Sequence, residues 1–423
     1  MNPVPRHLLP DTTQRGPDGG TLIGGCDLVD LADEYGTPLF VYDIAHLRAR
    51  IAEAVAAFGD GAVYASKAFL CKAMARLASD GGMLIDVATG GELTVALAGG
   101  VPADRLVFHG NNKSPAELEL ALRSGVGRIV VDNDDEIDRI EGLVSGGLPA
   151  PRVLVRITPG VEAHTHEYVS TGQVDSKFGF PVATGAAAAV AERLRASAAV
   201  ELVGVHAHIG SQVFRADSYA SALEVIASFS EPLELPELSV GGGLGVAYVE
   251  GESAPTITEW AHALHAKAAE LGVRARLFAE PGRAIVAAGA VTLYRVGTIK
   301  EIAGVRTYVA VDGGMSDNPR PVLYGSGYET FLPRSLDEPR PRRIRLVGKH
   351  CESGDLLVRD GKVPQDLVVS DVIATPVTGA YGHSMGSNYN KVLRPAVVFV
   401  EDGDARLVVR RETYDDLLRT DLG

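Results

Sequence analysis

From about Leu39 onward, two hydrophobic periods alternate along the chain. Short β-branched runs are followed by stretches in which apolar residues recur every three or four positions. Leu47, Ile51, Val55 and Phe58 show the second period and share one face of a helix predicted over Ile44 to Phe58. The runs predict strands at Phe40–Tyr42, Ala62–Ser66, Leu84–Val87, Arg105–Phe108, Arg128–Val131, Val153–Ile157, Leu202–His206, Glu237–Val240 and Arg276–Ala279. Helical patterns at Pro115–Arg123, Thr184–Ala196, Ser218–Phe229 and Thr256–Leu271 lie between them.

Most gaps hold a single helix, which makes successive strands parallel and covers them. Eight such units, the first ending at Lys67, close into an α/β fold of the (β/α)₈ TIM-type barrel class. An open doubly wound sheet is the alternative, but no G-x-G-x-x-G follows its first strand. Past Arg283 the helical period fades. Runs at Val291–Val296, Thr307–Val311, Arg343–Leu346, Leu367–Val369, Ala396–Phe399 and Val408–Arg410 predict a mainly antiparallel β-barrel or sandwich domain. The expected division is 38–288 for the barrel, with 1–37 and 289–423 in the β domain. Residues 1–20, rich in Pro, Gly and polar groups, read as a loose head.

Composition narrows the function. A chain of 423 residues with 46% hydrophobic content suits two domains. Its formal charge of −14 argues against nucleic acid or an anionic membrane as the main partner. The apolar stretch Ala284–Tyr294 is far shorter than the roughly 20 residues a bilayer requires. Cys26, Cys71 and Cys351 are odd in number and widely spaced, which points to a reducing compartment. With no visible secretory signal, the expected location is the cytoplasm.

The chemistry gathers at predicted strand ends, where barrels of this class place their active sites. Lys67 follows the first strand and is one of only nine lysines in the chain. Enclosed there, an amine loses protons more readily and forms a Schiff base with an aldehyde such as pyridoxal phosphate. Asp86 ends strand two, His109-Gly110-Asn111 follows strand three, and His206-Ala207-His208 closes strand six. Gly241-Gly242-Gly243 follows strand seven, the usual phosphate position, although three glycines also make a plain turn. Glu280, after strand eight, suits a pyridine nitrogen kept protonated, or else a salt bridge to Arg283. His164-Thr165-His166-Glu167 and His350-Cys351-Glu352 lack metal-ligand spacing, so no metal is expected.

Seven segments in order carry a resemblance. They are Tyr64-Ala65-Ser66-Lys67-Ala68, His208-Ile209-Gly210-Ser211-Gln212, Gly241 to Gly245, Glu280-Pro281-Gly282-Arg283, Met315 to Tyr324, Gly348 to Asp355, and Thr378 to Tyr381. Together they resemble the fold-type III, alanine racemase-like pyridoxal phosphate decarboxylases, and within them the diaminopimelate decarboxylase family. The resemblance spans about Leu31 to Val400. It implies that Lys67 carries pyridoxal 5'-phosphate, that His208 stacks on its ring and that Glu280 holds its nitrogen. Gly241, Gly242, Gly243 and Gly282 are implied at the phosphate, with Asp86, Ser211, Arg283 and Tyr381 completing the cofactor surroundings. Arg283, Arg320, Tyr324, Glu352 and Tyr381 are implied to bind substrate. Cys351 is implied to donate the proton after CO₂ leaves, with Lys67 and His208 the other catalytic residues. Cys351 and Glu352 would reach a neighbouring subunit, implying a homodimer.

The implied reaction converts meso-2,6-diaminopimelate to L-lysine, the last step of lysine biosynthesis. Decarboxylases of ornithine, arginine, carboxynorspermidine or a related D-amino acid share the fold, and a racemase or a non-catalytic cofactor carrier remains open. Gly382, following Tyr381, departs from the bulkier residue usual in the family and is expected to loosen the cofactor's surroundings.

Overall fold

A computed structural model describes residues 2–160, 176–214 and 216–423. The chain divides into two compact units, one of residues 50–245 and 254–284, the other of 1–49, 246–253 and 285–423.

The first unit is a barrel of eight parallel strands in sequence order: Val63–Ala65, Leu84–Val87, Leu106–Phe108, Arg128–Val131, Arg152–Thr158, Glu201–His206, Glu237–Ser239 and Arg276–Phe278. A parallel bridge between Ala62 and Ala279 joins the last strand to the first. Across that seam the Val63 amide donates to Ala279 O at 2.9 Å. Val63, Leu84, Val107, Val130, Leu154, Val203 and Phe278 form one apolar cluster. Two residues further along most of these strands, on the same face by the period-two rule, the side chain turns polar. Asp86 follows Leu84, His109 follows Val107, Asp132 follows Val130, Arg156 follows Leu154 and Glu280 follows Phe278. All five are buried. The barrel thus has an apolar floor and a charged layer at its C-terminal mouth. In strand six a register irregularity between Leu202 and Gly204 adds a residue, which brings His206 opposite Arg156 in that layer.

Helix ends follow local chemistry. Ser114 and Glu117 form a capping box before Pro115–Ser124, which stops at left-handed Gly125.

The second unit is built on a sheet ordered Leu356–Val363, Arg342–Val347, Arg306–Val311, Ala290–Ile302, Leu39–Asp43, Ala396–Glu401 and Asp404–Val409, with Val372–Pro376 also paired to Ala290–Ile302. It is a mixed sheet, since Arg306–Val311 runs parallel to Arg342–Val347, and Leu39–Asp43 parallel to Ala396–Glu401. Leu39–Asp43, expected at the start of the barrel domain, lies in this sheet because it is buried on both faces. Leu367–Val369 is not a strand; Val368 and Val369 are exposed and find no partner strand. The segment expected as a loose head is tied down. Val4 and Leu9 join the core of Leu28, Leu31, Leu39, Leu293 and Val398, and Leu8 is fully buried. Among the described residues, no helix is long and apolar enough to cross a membrane.

Candidate active site

Glu280 is the centre of the barrel mouth. His206 Nε2 lies 3.1 Å from Glu280 Oε1, and Ser239 Oγ donates to the same oxygen at 2.8 Å. His109 Nε2 stands 3.7 Å from it and 4.0 Å from Asp86 Oδ1. Burial alone would raise the Glu280 carboxyl. The charge of His206, then that of His109, and the hydrogen bonds from His206 and Ser239 outweigh burial and hold it well below the usual carboxylate range. Asp86 goes the other way. Burial pushes it well above the ordinary value, against the pull of Lys67. Two neighbouring carboxyls are thereby set apart, Glu280 shifted down and Asp86 shifted up, as a pocket of like charges demands.

Lys67 occupies the single turn Ser66–Ala68 that follows the first strand, between buried Ser66 and Ala68. The side chain is exposed rather than enclosed, because the turn carries it past the strand end to the rim of the mouth. Its charge is felt at Asp86, Glu92, His109 and His208. The enclosed lysine of the barrel is Lys113, whose Nζ meets Glu136 Oε1 at 2.7 Å and also donates to Gly110 O and Val130 O.

His208 lies just past strand six and is partly exposed. The Gly242 amide donates to its Nδ1 at 3.1 Å, which leaves the proton on Nε2. Burial first, then the charges of Lys67 and Arg156, keep its pKa well below the usual histidine value, so the ring is neutral. Burial likewise pushes His109 well below the usual histidine value, against the pull of Glu280.

The triple glycine is demanded by close packing. A Cβ on Gly242 would lie 2.2 Å from Glu280 O, and one on Gly243 2.1 Å from Gly210 O. Gly243 also has φ of +103°, which side chains rarely adopt. Gly282 would strike Ala65 O at 2.7 Å. Arg283 is buried and its Nη2 donates to Ser211 Oγ at 2.9 Å, while Glu280 turns to His206 and Ser239.

Sequence reasoning left Arg156, Asp132 and Ser239 without a role. Arg156 Nη1 reaches Asp132 Oδ2 at 3.3 Å, and its guanidinium covers the Phe178 ring at 4.3 Å. A lone arginine inside an apolar strand was the available signal. His109, His206 and Glu280 also lie close enough together to grip a cation, whereas the His350 segment does not form such a group among the described residues. His164, His166 and Glu167 fall outside the described residues.

The barrel mouth fits pyridoxal phosphate in kind. An ionised carboxylate suits a protonated ring nitrogen, and a neutral imidazole offers a flat face for stacking. Ser66 Oγ, His109 Nε2 and His206 Nδ1 are buried with no hydrogen-bond partner among the described residues, so polar capacity remains around Glu280.

The other candidates belong to the second unit. Arg320 is buried, with its guanidinium 4.3 Å over the Tyr248 ring and Nη1 donating to Tyr328 Oη at 2.5 Å. Burial would weaken its hold on a proton, but Tyr328 and Tyr248 outweigh burial and raise it further. Tyr324 ends the short helix Arg320–Tyr324 and is partly exposed. Tyr381 is held at φ of 58°, a strained conformation for an aromatic residue. Beside it, a Cβ on Gly382 would lie 3.0 Å from the Phe40 ring, so Phe40 fills the space a bulkier residue would need. Cys351 and Glu352 are exposed at a turn, and His350 Nε2 is engaged by Ser316 Oγ at 2.8 Å.

Comparison with known proteins places this geometry. Residues 44–287 match the family described as "Pyridoxal-dependent decarboxylase, pyridoxal binding domain". The diaminopimelate decarboxylase of Mycobacterium tuberculosis is 47% identical, with 97% of each chain covered. That of Bacillus subtilis is 44% identical, with 98% of each covered. The crystal structure of the M. jannaschii diaminopimelate decarboxylase in complex with L-lysine superposes with a TM-score of 0.88, at 32% identity and 98% coverage of both chains. With a glutamate-centred barrel mouth, a rim lysine and likeness along nearly its whole length, the chain belongs to the diaminopimelate decarboxylase family of pyridoxal-dependent decarboxylases.

Proposed function

We propose that the protein decarboxylates meso-2,6-diaminopimelate to L-lysine and CO₂, with pyridoxal 5'-phosphate held at Lys67. The observation that carries this reading is Glu280, held by His206 and Ser239 in the same barrel mouth whose Asp86 feels the charge of Lys67. When bound, pyridoxal phosphate supplies an electron sink for the pair released as the carbon–carboxylate bond breaks.

The chain's own groups do the rest. Lys67 Nζ would hold the cofactor covalently. Glu280 would keep a positive charge at the ring nitrogen, and neutral His208 would offer its flat face to the ring. Gly241, Gly242, Gly243 and Gly282, with the Ser211 hydroxyl, would line the phosphate. Asp86 stays close to Lys67. Arg320 forks onto the distal carboxylate, a match that ornithine and arginine do not offer. Arg283, Tyr324 and Tyr381 are the further candidates for contact with substrate, and Glu352 would meet the distal ammonium. Cys351 Sγ donates the proton to the carbon that has lost CO₂.

Cys351 and Glu352 serve the site of a second copy in a homodimer. Their exposure supports this, as does that of Val322, Leu323 and Tyr389 in the same unit. We place the enzyme in the cytoplasm, at the last step of lysine biosynthesis. The deciding experiment measures CO₂ release from meso- and LL-diaminopimelate, D- and L-lysine, ornithine and arginine. Turnover confined to the meso isomer is expected; preference for ornithine or arginine would overturn the substrate assignment.

A further inference from the structure

The turn that presents Cys351 is gripped by one side chain from a distant part of the same unit. Asn390 Oδ1 accepts a hydrogen bond from the Cys351 backbone N–H at 3.1 Å. The same oxygen lies 3.3 Å from His350 Nδ1. His350 Nε2 is 2.8 Å from Ser316 Oγ. One tautomer satisfies both contacts: Nδ1–H donates to Asn390, and Nε2 accepts from the Ser316 hydroxyl. The turn is closed from the other side by Asp355, which accepts from the His350 amide at 2.8 Å and the Met315 amide at 2.7 Å. Tyr389 stacks on the His350 ring, with centroids 5.3 Å apart.

Asn390 reaches this position at a backbone cost. Its φ of 51° and ψ of 22° put it in the left-handed region, which asparagine tolerates better than most side chains. A strained residue whose amide oxygen takes two donors beside an exposed thiol calls for a role. Resting on the reading of Cys351 as proton donor, we propose that Asn390 is the positioning residue for that thiol. By fixing the Cys351 amide and the His350 ring together, it sets the direction in which Sγ is presented. The exposed thiol sits on a turn with no secondary structure of its own, so side-chain clamps of this kind are what hold its direction.

The test uses the holoenzyme and three variants. Asn390→Gly keeps the left-handed backbone and removes the amide. Asn390→Asp keeps the accepting oxygen. Cys351→Ala tests the donor reading itself. Cys26 and Cys71 are buried, so iodoacetamide reads Cys351 selectively. For Asn390→Gly, kcat should fall roughly 10- to 100-fold with KM little changed, the scale of a small misplacement of a reacting group. Its Cys351 alkylation should also become about threefold faster as the turn loosens. Asn390→Asp should recover most of kcat. Its added charge favours the protonated thiol, so alkylation should set in at higher pH than in the parent. Parent-like kcat and alkylation in Asn390→Gly would overturn the proposal, as would an Asn390→Asp variant no better than Asn390→Gly. Undiminished turnover in Cys351→Ala would instead remove the donor reading, and alkylation alone would then judge the clamp.

Discussion

Ser239 Oγ donates a 2.8 Å hydrogen bond to Glu280 Oε1 from the adjacent strand, and both side chains are buried in the barrel mouth. The bond occupies one carboxylate oxygen with a neutral donor, and His206 Nε2 lies within hydrogen-bond reach of both oxygens, 3.1 Å from Oε1 and 3.2 Å from Oε2. Glu280 therefore keeps its negative charge at depth, where a lone carboxylate would take up a proton. Glu280→Gln preserves shape and removes that charge. We expect kcat on meso-diaminopimelate to fall by roughly 10²- to 10³-fold, the scale of losing one preorganised electrostatic contact. Ser239→Ala, which leaves His206 in place, should cost much less. A Glu280→Gln enzyme within a few fold of the parent would show that the charge does not serve catalysis.

Among the described residues, Lys67 stands exposed on the turn after the first barrel strand, whereas Lys113 is buried and bound to Glu136 and two carbonyls. Lys67→Ala should therefore abolish the visible absorption of covalently held cofactor. Free pyridoxal phosphate should be released on gel filtration. A full band restored through another lysine would mean that the attachment site is elsewhere.

The barrel was legible because parallel strands buried on both faces read as unbroken apolar runs between helical periods. Its mouth was legible wherever a polar residue ended such a run, as at Asp86, His109 and Glu280. The second unit was less so. Leu356–Val363 contains Asp360-Gly361, ordinarily the mark of a hairpin turn, yet the chain carries on through it with register shifts in the pairing. Leu367–Val369 has strand composition but no partner, and propensity without pairing does not make a strand. Tyr248 and Tyr328 enclose Arg320 from 72 and 8 residues away in the chain (320 − 248 and 328 − 320), a contact only the folded chain creates. Likewise the grip of Asn390 on Cys351 depends on a left-handed backbone that no periodicity announces.

Arg320 offers a planar fork braced by two tyrosines, which a lysine does not reproduce. Arg320→Ala should weaken binding of meso-diaminopimelate by about 2–5 kcal/mol, the cost of leaving a buried partner charge unpaired. Arg320→Lys should recover only part of this. The measurement is KM with saturating cofactor, supported by competition with L-lysine. An unchanged KM in Arg320→Ala would remove the basis for a distal-carboxylate contact.

Asp317 makes the stability of the second unit depend on pH in a direction opposite to that of most carboxylates. It is buried, and burial raises its pKa from 3.8 to about 7, opposed by the Gly314 amide and reinforced by Asp312. Its Oδ2 accepts from Gly314 N at 2.9 Å, and its Oδ1 has no hydrogen-bond partner among the described residues. Between pH 4 and 7 the folded chain holds a proton here that the unfolded chain has released. The unfolded state then binds fewer protons, so stability falls as pH rises through this window and levels off above it. At about 1.4 kcal/mol per tenfold separation, the cost at pH 8 is on the order of 4 kcal/mol. Asp317→Asn keeps a carbonyl for the Gly314 amide and cannot ionise. Relative to the parent, it should gain resistance to urea at pH 8 and little or none at pH 5. Equal gains at both pH values would trace the effect to packing, and a loss confined to pH 8 would mean that the ionised carboxylate is stabilised where it lies.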